Sequence, residues 1–247
     1  MPAVSRVDRL LQATETLRLA VNRLTFAPPV HTVYNPLDYA AAGHTAYVEA
    51  FAQTPKHALF LGMNPGPWGM AQTGVPFGAI PAVRDWMELD FAVEKPACEH
   101  PKRPVTGLAC PRVEVSGRRL WLELFAAQWG SAKAFFAQHY VANYCPLVFM
   151  AESGANVTPD KLPAAERVPL EAACDAHLAA VIEILEPELV IGVGGFAEKC
   201  ARRVIQATGG SAKVATILHP SPASPLANKL WPERPREQLA ALGVGPV

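Results

Sequence analysis

Two amides and an imidazole, Asn64, Asn143 and His219, stand where short apolar runs meet loops. Side chains of these types recognise a ligand by donating and accepting hydrogen bonds, and three loops that bring them together make a polar pocket in an otherwise apolar frame. Asn64 belongs to the run Gly62-Met63-Asn64-Pro65-Gly66-Pro67-Trp68-Gly69, which continues through Gly74 and Pro76 to Phe77 and Gly78. Proline locks φ and glycine permits backbone angles closed to other residues, so this stretch reads as a rigid pocket rim. Taken singly, each residue also has a structural reading. Asn64 suits a turn cap, Asn143 a strand amide bonded to a neighbouring loop, and His219 an ordinary strand end.

Other chemistries lack their residues. There is no G-x-S-x-G elbow, no H-E-x-x-H and no G-K-[ST] phosphate loop. Gly192-Val193-Gly194-Gly195 does not complete a dinucleotide fingerprint and reads as a tight strand-to-helix turn. His219 and Ser221 are too close in sequence, with Pro220 between them, to read as a hydrolase pair. Cys98, Cys110, Cys145, Cys174 and Cys200 are odd in number and form no C-x-x-C pair. Neither a disulfide framework nor a zinc site is expected, and no iron–sulfur spacing is recognised; buried inert thiols are the preferred reading.

The elements that position these residues follow from hydrophobic period. Ser5 and Asp8 open a helix whose Leu10, Leu17, Val21 and Leu24 share a face, and residues 37–53 read as a second helix. Strands are expected at 57–63, 139–145, 188–193 and 213–219. Cys174, Leu178, Val181, Ile182 and Leu185 mark an amphipathic helix ended by Pro187, and another helix runs from Gly194-Gly195 through Arg203. The proline-rich stretch 96–117 is an irregular excursion, with helical period resuming at Arg118 through Leu120, Trp121, Leu124 and Phe125. Strands alternating with helices indicate an α/β fold with a largely parallel sheet. Asn64, Asn143, Gly194 and His219 then all fall near carboxyl ends of strands, where open α/β sheets bind ligands.

At 247 residues the chain reads as one domain, with residues 1–30 a helical extension packed on it. Its 22 basic and 22 acidic side chains cancel, so no global field recruits a polyanion. The charge is uneven, however: Lys102, Arg103, Arg112, Arg118 and Arg119 face only Glu99 and Glu114 between positions 99 and 119. The apolar runs are too short for a membrane span and no signal peptide is evident, so a cytoplasmic protein is expected, or a nuclear one in a eukaryote.

Several ordered motifs resemble one family. Gly62 to Gly78 followed by Val83-Arg84-Asp85-Trp86, His100-Pro101-Lys102-Arg103-Pro104, Glu114-Val115-Ser116-Gly117, Asn143-Tyr144-Cys145-Pro146-Leu147 and His219-Pro220-Ser221-Pro222 are similar to those of the single-strand-selective monofunctional uracil-DNA glycosylases. The resemblance begins near Tyr34-Asn35-Pro36 and runs almost to the C-terminus. It implies a three-layer α/β/α sandwich on a central four-stranded, mostly parallel sheet. It also implies hydrolysis of the N-glycosidic bond of a flipped uracil in single- or double-stranded DNA, leaving an abasic site without strand cleavage. Uracils substituted at C5, such as 5-hydroxymethyluracil, are expected substrates. No metal or cofactor is implied, and a monomer suits an enzyme that scans DNA.

By the same resemblance Phe77 stacks on the base, Asn143 reads its N3–O4 edge, and the main chain at Met63 and Gly66 binds the base or a bridging water. Asn64 positions the attacking water, and His219 stabilises the departing anion at O2. Lys102, Arg103, Arg112, Arg118 and Lys229 are expected on phosphates. Pro220 to Trp231, with Ser221, Pro222 and Ala223, resembles the wedge that enters the helix, although Ala223 replaces the arginine of vertebrate members and Trp68 a phenylalanine. A Schiff-base nick needs an amine, and Lys229, ten residues beyond His219, reads as a phosphate contact instead. A non-catalytic damaged-DNA binder on the same scaffold is the main alternative, and a nucleoside-binding α/β protein a third.

Overall fold

Three of the four long apolar runs bury every residue, the pattern of strands covered on both faces. The computed structural model describes residues 4–246. Its first half contains α1 (Arg6–Val21), β1 (Thr32–Tyr34), α2 (Pro36–Tyr39), α3 (Ala41–Phe51), β2 (Ala58–Gly62) and α4 (Met70–Thr73). After the irregular stretch come α5 (Val115–Arg118), a π-helical segment Arg119–Ala126, α6 (Ala127–Trp129) and α7 (Ala132–Gln138). β3 (His139–Asn143), β4 (Val148–Met150) and β5 (Asn156–Val157) follow, then α8 (Ala164–Leu185), β6 (Leu189–Val193), α9 (Gly195–Thr208) and β7 (Lys213–Ile217). Two short helices, α10 (Pro225–Leu230) and α11 (Glu233–Ala241), close the chain.

β3, β2, β6 and β7 form, in that order, a fully parallel four-stranded sheet flanked by helices, as expected of an α/β/α sandwich. α9 packs on β6, β7 and β2, and α7 on β3. α1 lies along α8 with Leu10, Thr14, Leu17 and Val21 inward. Its start is the expected one: the Ser5 hydroxyl accepts from the Asp8 N–H at 3.1 Å.

The structure corrects several boundaries. The helix expected over 37–53 is two, because Ala40 leaves the helical region (φ −111°, ψ 25°). That break leaves Tyr39 buried, its hydroxyl donating to Ala71 O at 2.7 Å. The helix after the excursion begins at Val115 rather than Arg118, and α9 runs on to Thr208. Leu24 lies beyond the end of α1, partly buried against the core. On α8 the buried partner of Leu185 is Ile184, with Ile182 half-buried. β1, β4 and β5 make a second, antiparallel sheet that the sequence reading lacked. Its strands span two or three residues, too few to display a period.

β3 is an edge strand, and an unpaired edge exposes backbone groups that must be satisfied elsewhere. Tyr47 of α3 does this with one hydroxyl, donating to Val141 O at 3.0 Å and accepting from Val141 N–H at 3.3 Å. Tyr47 is fully buried, so water cannot replace it. Tyr47→Phe therefore strands two buried backbone groups and is expected to cost about 1–3 kcal/mol, read as a lowered denaturation midpoint. An unchanged midpoint would remove Tyr47 as the edge cap.

Candidate active site

The register of the parallel sheet aligns four loops. Gly62 stands opposite Asn143, and Val193 opposite Ile217. The pairing continues past the strands: Tyr144 N–H donates to Gly62 O, Cys145 N–H to Met63 O and Gly194 N–H to Ile217 O, at 2.9–3.0 Å. The loops carrying Asn64, Asn143, Gly194 and His219 thus leave the same edge together, as the sequence reading required. The loops of Asn64, Gly194 and His219 border a cavity of about 410 Å³, lined by Met63, Asn64, Gly66, Phe77, His219 and Ser221 among others, while the Asn143 loop does not line it.

Gly62 is bare for a steric reason. A Cβ there would lie 2.4 Å from Asn143 Oδ1 and 2.5 Å from the Phe77 ring. Phe77 itself holds a left-handed backbone (φ 53°), which costs a non-glycine residue about 1–2 kcal/mol. The backbone of Gly117 packs against it so closely that a Cβ at 117 would stand 2.0 Å from Phe77 O. This explains the glycine of the Glu114-Val115-Ser116-Gly117 motif.

Asn143 lies behind this shelf, 9% exposed, and borders a small internal void on its far side with Met70 and His177. Its Nδ2 donates to the Met70 sulfur at 3.3 Å, a weak acceptor, and its Oδ1 is buried without a partner. A buried amide so poorly satisfied is a prepared binding group. Asn64 is anchored the other way. Its Nδ2 donates to Pro65 O and Leu147 O at 3.3 and 3.2 Å, leaving Oδ1 as an acceptor at the cavity.

His219 is fixed in one tautomer. Its Nδ1 accepts from Ser221 N–H at 3.1 Å, so the neutral ring carries its proton on Nε2 as a donor. Burial pushes the imidazole down from 6.5 to about 4. Gly194, at φ 92°, brings its backbone against the ring; a Cβ there would touch His219 Cβ at 3.1 Å. Phe77 and His219 face the same space with ring centroids 6.5 Å apart.

Two residues to which the sequence reading gave no role stand at the site. Glu114, counted there as a charge against the basic patch and as the first residue of a family-like motif, lines the cavity. Arg119 holds the wedge segment: Nη1 donates to Pro220 O and Ser221 O at 3.2 and 3.4 Å, and Nη2 to Asn228 Oδ1 at 2.9 Å. The exposed large apolar side chains of that segment are Leu226 and Leu230, 54% and 40% exposed on α10. A single exposed Leu means little, but two on one short helix beside the cavity fit insertion.

The expected phosphate contacts divide. Arg103 and Arg112 lie over the Trp68 ring, their guanidinium carbons 5.3 and 4.8 Å from its centre. Lys102 and Lys229 are exposed, as are Pro222 and Ala223. Arg118 differs, its Nη1 pairing with Glu123 Oε1 at 2.9 Å, so its charge is already engaged. All five cysteines are free, four of them buried and Cys98 exposed.

Comparison with known proteins places this arrangement. The profile of the Uracil DNA glycosylase superfamily matches residues 51–241. The single-strand selective monofunctional uracil-DNA glycosylase of Rattus norvegicus is 47% identical over 245 residues, 99% of this chain and 88% of that one. The corresponding proteins of Mus musculus and Bos taurus are each 47% identical over 243 residues, covering 98% of this chain and 87% and 89% of theirs. The crystal structure of Pedobacter heparinus SMUG2 superposes with a TM-score of 0.64 at 18% identity, over 98% of this chain and 95% of that one; at that identity the likeness is one of fold.

The depressed imidazole has a direct test. Because the folded protein disfavours the charged ring, His219 stays neutral from alkaline pH down to about 4 and protonates only below it. An NMR titration is expected to place its midpoint near 4. A midpoint near 6.5 would contradict the enclosed neutral ring.

Proposed function

The chain belongs to the uracil-DNA glycosylase superfamily, and within it to the single-strand-selective monofunctional uracil-DNA glycosylases; from that premise we propose how its residues share the reaction. It removes uracil from DNA by hydrolysing the N-glycosidic bond and leaves the strand uncut. The bond is unreachable within the stack, so the nucleotide must be turned out into the cavity. Phe77 then covers one face of the base. The Asn143 amide donates to O4 and accepts from N3–H, a pattern that cytosine reverses. Phe77 lines the cavity, and its ring edge shares with Asn143 Oδ1 the space above Gly62.

Bond breaking leaves an oxocarbenium-like sugar and a uracil anion. His219 Nε2–H donates to O2, where the negative charge gathers, while Asn64 Oδ1 accepts from the water that attacks the sugar. The observation that carries this reading is the fixed tautomer of His219, a neutral donor held at the cavity by the Ser221 N–H. An asparagine cannot take the water's proton, so Asn64 works by position rather than as a base. Main-chain groups at Met63 and Gly66 line the cavity for the base or a bridging water. Among the described residues no lysine lines the cavity, in keeping with hydrolysis alone.

On the DNA face, Lys102, Arg103, Arg112 and Lys229 engage phosphates. The Ser221–Ala223 turn, pinned by Arg119, carries Leu226 and Leu230 into the gap left by the base. Ala223 adds no cation there, so the apolar wedge works without the contact that an arginine supplies in vertebrate members. The enzyme acts as a monomer and extends its range to 5-hydroxymethyluracil. A non-catalytic damaged-DNA binder would have no need of an oriented donor and a free acceptor facing each other across the cavity.

Oligonucleotides carrying one deoxyuridine, incubated with the protein and then treated with alkali, are expected to break only after alkali. Asn64→Ala and His219→Ala are each expected to lower kcat by about 10²–10³ with little change in DNA affinity. Full activity in both variants would refute the assignment, and binding without any excision by the wild type would favour the non-catalytic reading.

A further inference from the structure

Glu114 is the sole acid among the residues lining the cavity, and none of the roles above uses it. Its carboxyl is packed behind the catalytic loop. A Cβ at Gly69 would stand 1.7 Å from Oε2, and one at Gly66 3.2 Å from Cδ and Oε1. Oε2 is buried with no hydrogen-bond partner, and among the described residues no cation pairs with this carboxylate. An unpaired carboxyl in a closed wall is costly. Packing alone does not justify it, since Leu or Met would fill the same hollow with no polar group to desolvate.

Its place relative to the base follows from the roles proposed above, on which this inference rests. Phe77 covers a face, Asn143 takes N3–H and O4, His219 takes O2, and N1 points to the sugar. The edge left over is C5–C6; among the lining residues without a role so far, Glu114 stands against Gly66 of the base-binding loop, while Asn156, Thr158, Val193, Gly195 and Phe196 come from other segments. We propose that Glu114 is a specificity residue that favours uracils whose C5 substituent carries a hydrogen-bonding hydroxyl, hydroxymethyl over methyl. A hydroxyl on a one-carbon arm pairs with the carboxyl, whereas a methyl group meets it without a partner and leaves it desolvated. Uracil itself leaves space at C5 for a water. Burial raises this carboxyl from 4.5 to about 7, so near neutrality both of its forms are present. The carboxylate accepts from the substrate hydroxyl and the acid donates to it, so either form makes the bond. Gly66 and Gly69 lack side chains because the carboxyl fills their space.

The test compares kcat/KM on single-stranded oligonucleotides bearing uracil, 5-hydroxymethyluracil or thymine, for wild type, Glu114→Leu and Glu114→Gln. In Glu114→Leu the ratio of 5-hydroxymethyluracil to uracil is expected to fall about tenfold or more, and the ratio of thymine to 5-hydroxymethyluracil to rise. Glu114→Gln keeps the size and one acceptor, and its ratios should move the same way by less. A purely structural role would lower all substrates together; unchanged ratios in folded Glu114→Leu overturn the proposal. So does a wild type that leaves 5-hydroxymethyluracil in place while excising uracil. Failure of the parent reading looks different, as a wild type without uracil excision, and takes this proposal with it.

Discussion

Gly62 ends β2 opposite Asn143, and the space left by its missing side chain is filled from two sides, by the Asn143 amide and by the edge of the Phe77 ring. Other close approaches at the site lead back to this shelf. Phe77 lies there with a left-handed backbone, and that backbone packs closely against Gly117 at the mouth of the long helical run. The same run carries Glu114 behind Gly66 and Gly69, and Arg119 into the wedge segment. Sheet register, loop and wedge are therefore one mechanical unit. Interiors packed this closely transmit small displacements instead of absorbing them.

The electrostatics of the site are those of a chamber whose burial disfavours charge. Burial keeps His219 neutral and pushes Glu114 up to about 7. Expelling uracil as an anion creates a charge where there was none, so fixed dipoles that already point at it need no rearrangement. A neutral imidazole with its donor nitrogen fixed meets that need, and an amide anchored through Nδ2 offers only its oxygen to water. Positive charge is kept off the cavity lining, at Arg103 and Arg112 on Trp68.

Much of this was legible in the sequence. Three of the four strands of the parallel sheet announce themselves because they are buried on both faces, and three residues at or just past strand ends mark the site. Short strands carry no such signal, so the β1–β4–β5 sheet was invisible. Glu114 was hidden because an acid reads as surface until its neighbours are known. Arg118 and Arg119 are identical in sequence, yet adjacent helical residues point roughly 100° apart. One therefore meets Glu123, while the other reaches the carbonyls of Pro220 and Ser221.

The central claim is that the empty position at Gly62 sets the geometry shared by the base-reading amide and the stacking ring. The backbone at 62 is not in the left-handed region, so alanine is permitted there conformationally and only its methyl group intrudes. The most direct measurement is the single-turnover rate of uracil excision by Gly62→Ala at saturating enzyme on single-stranded DNA. The account predicts a fall of about hundredfold or more in a folded protein, because displacements near 1 Å at reacting groups cost that much. A rate equal to that of the wild type would contradict it.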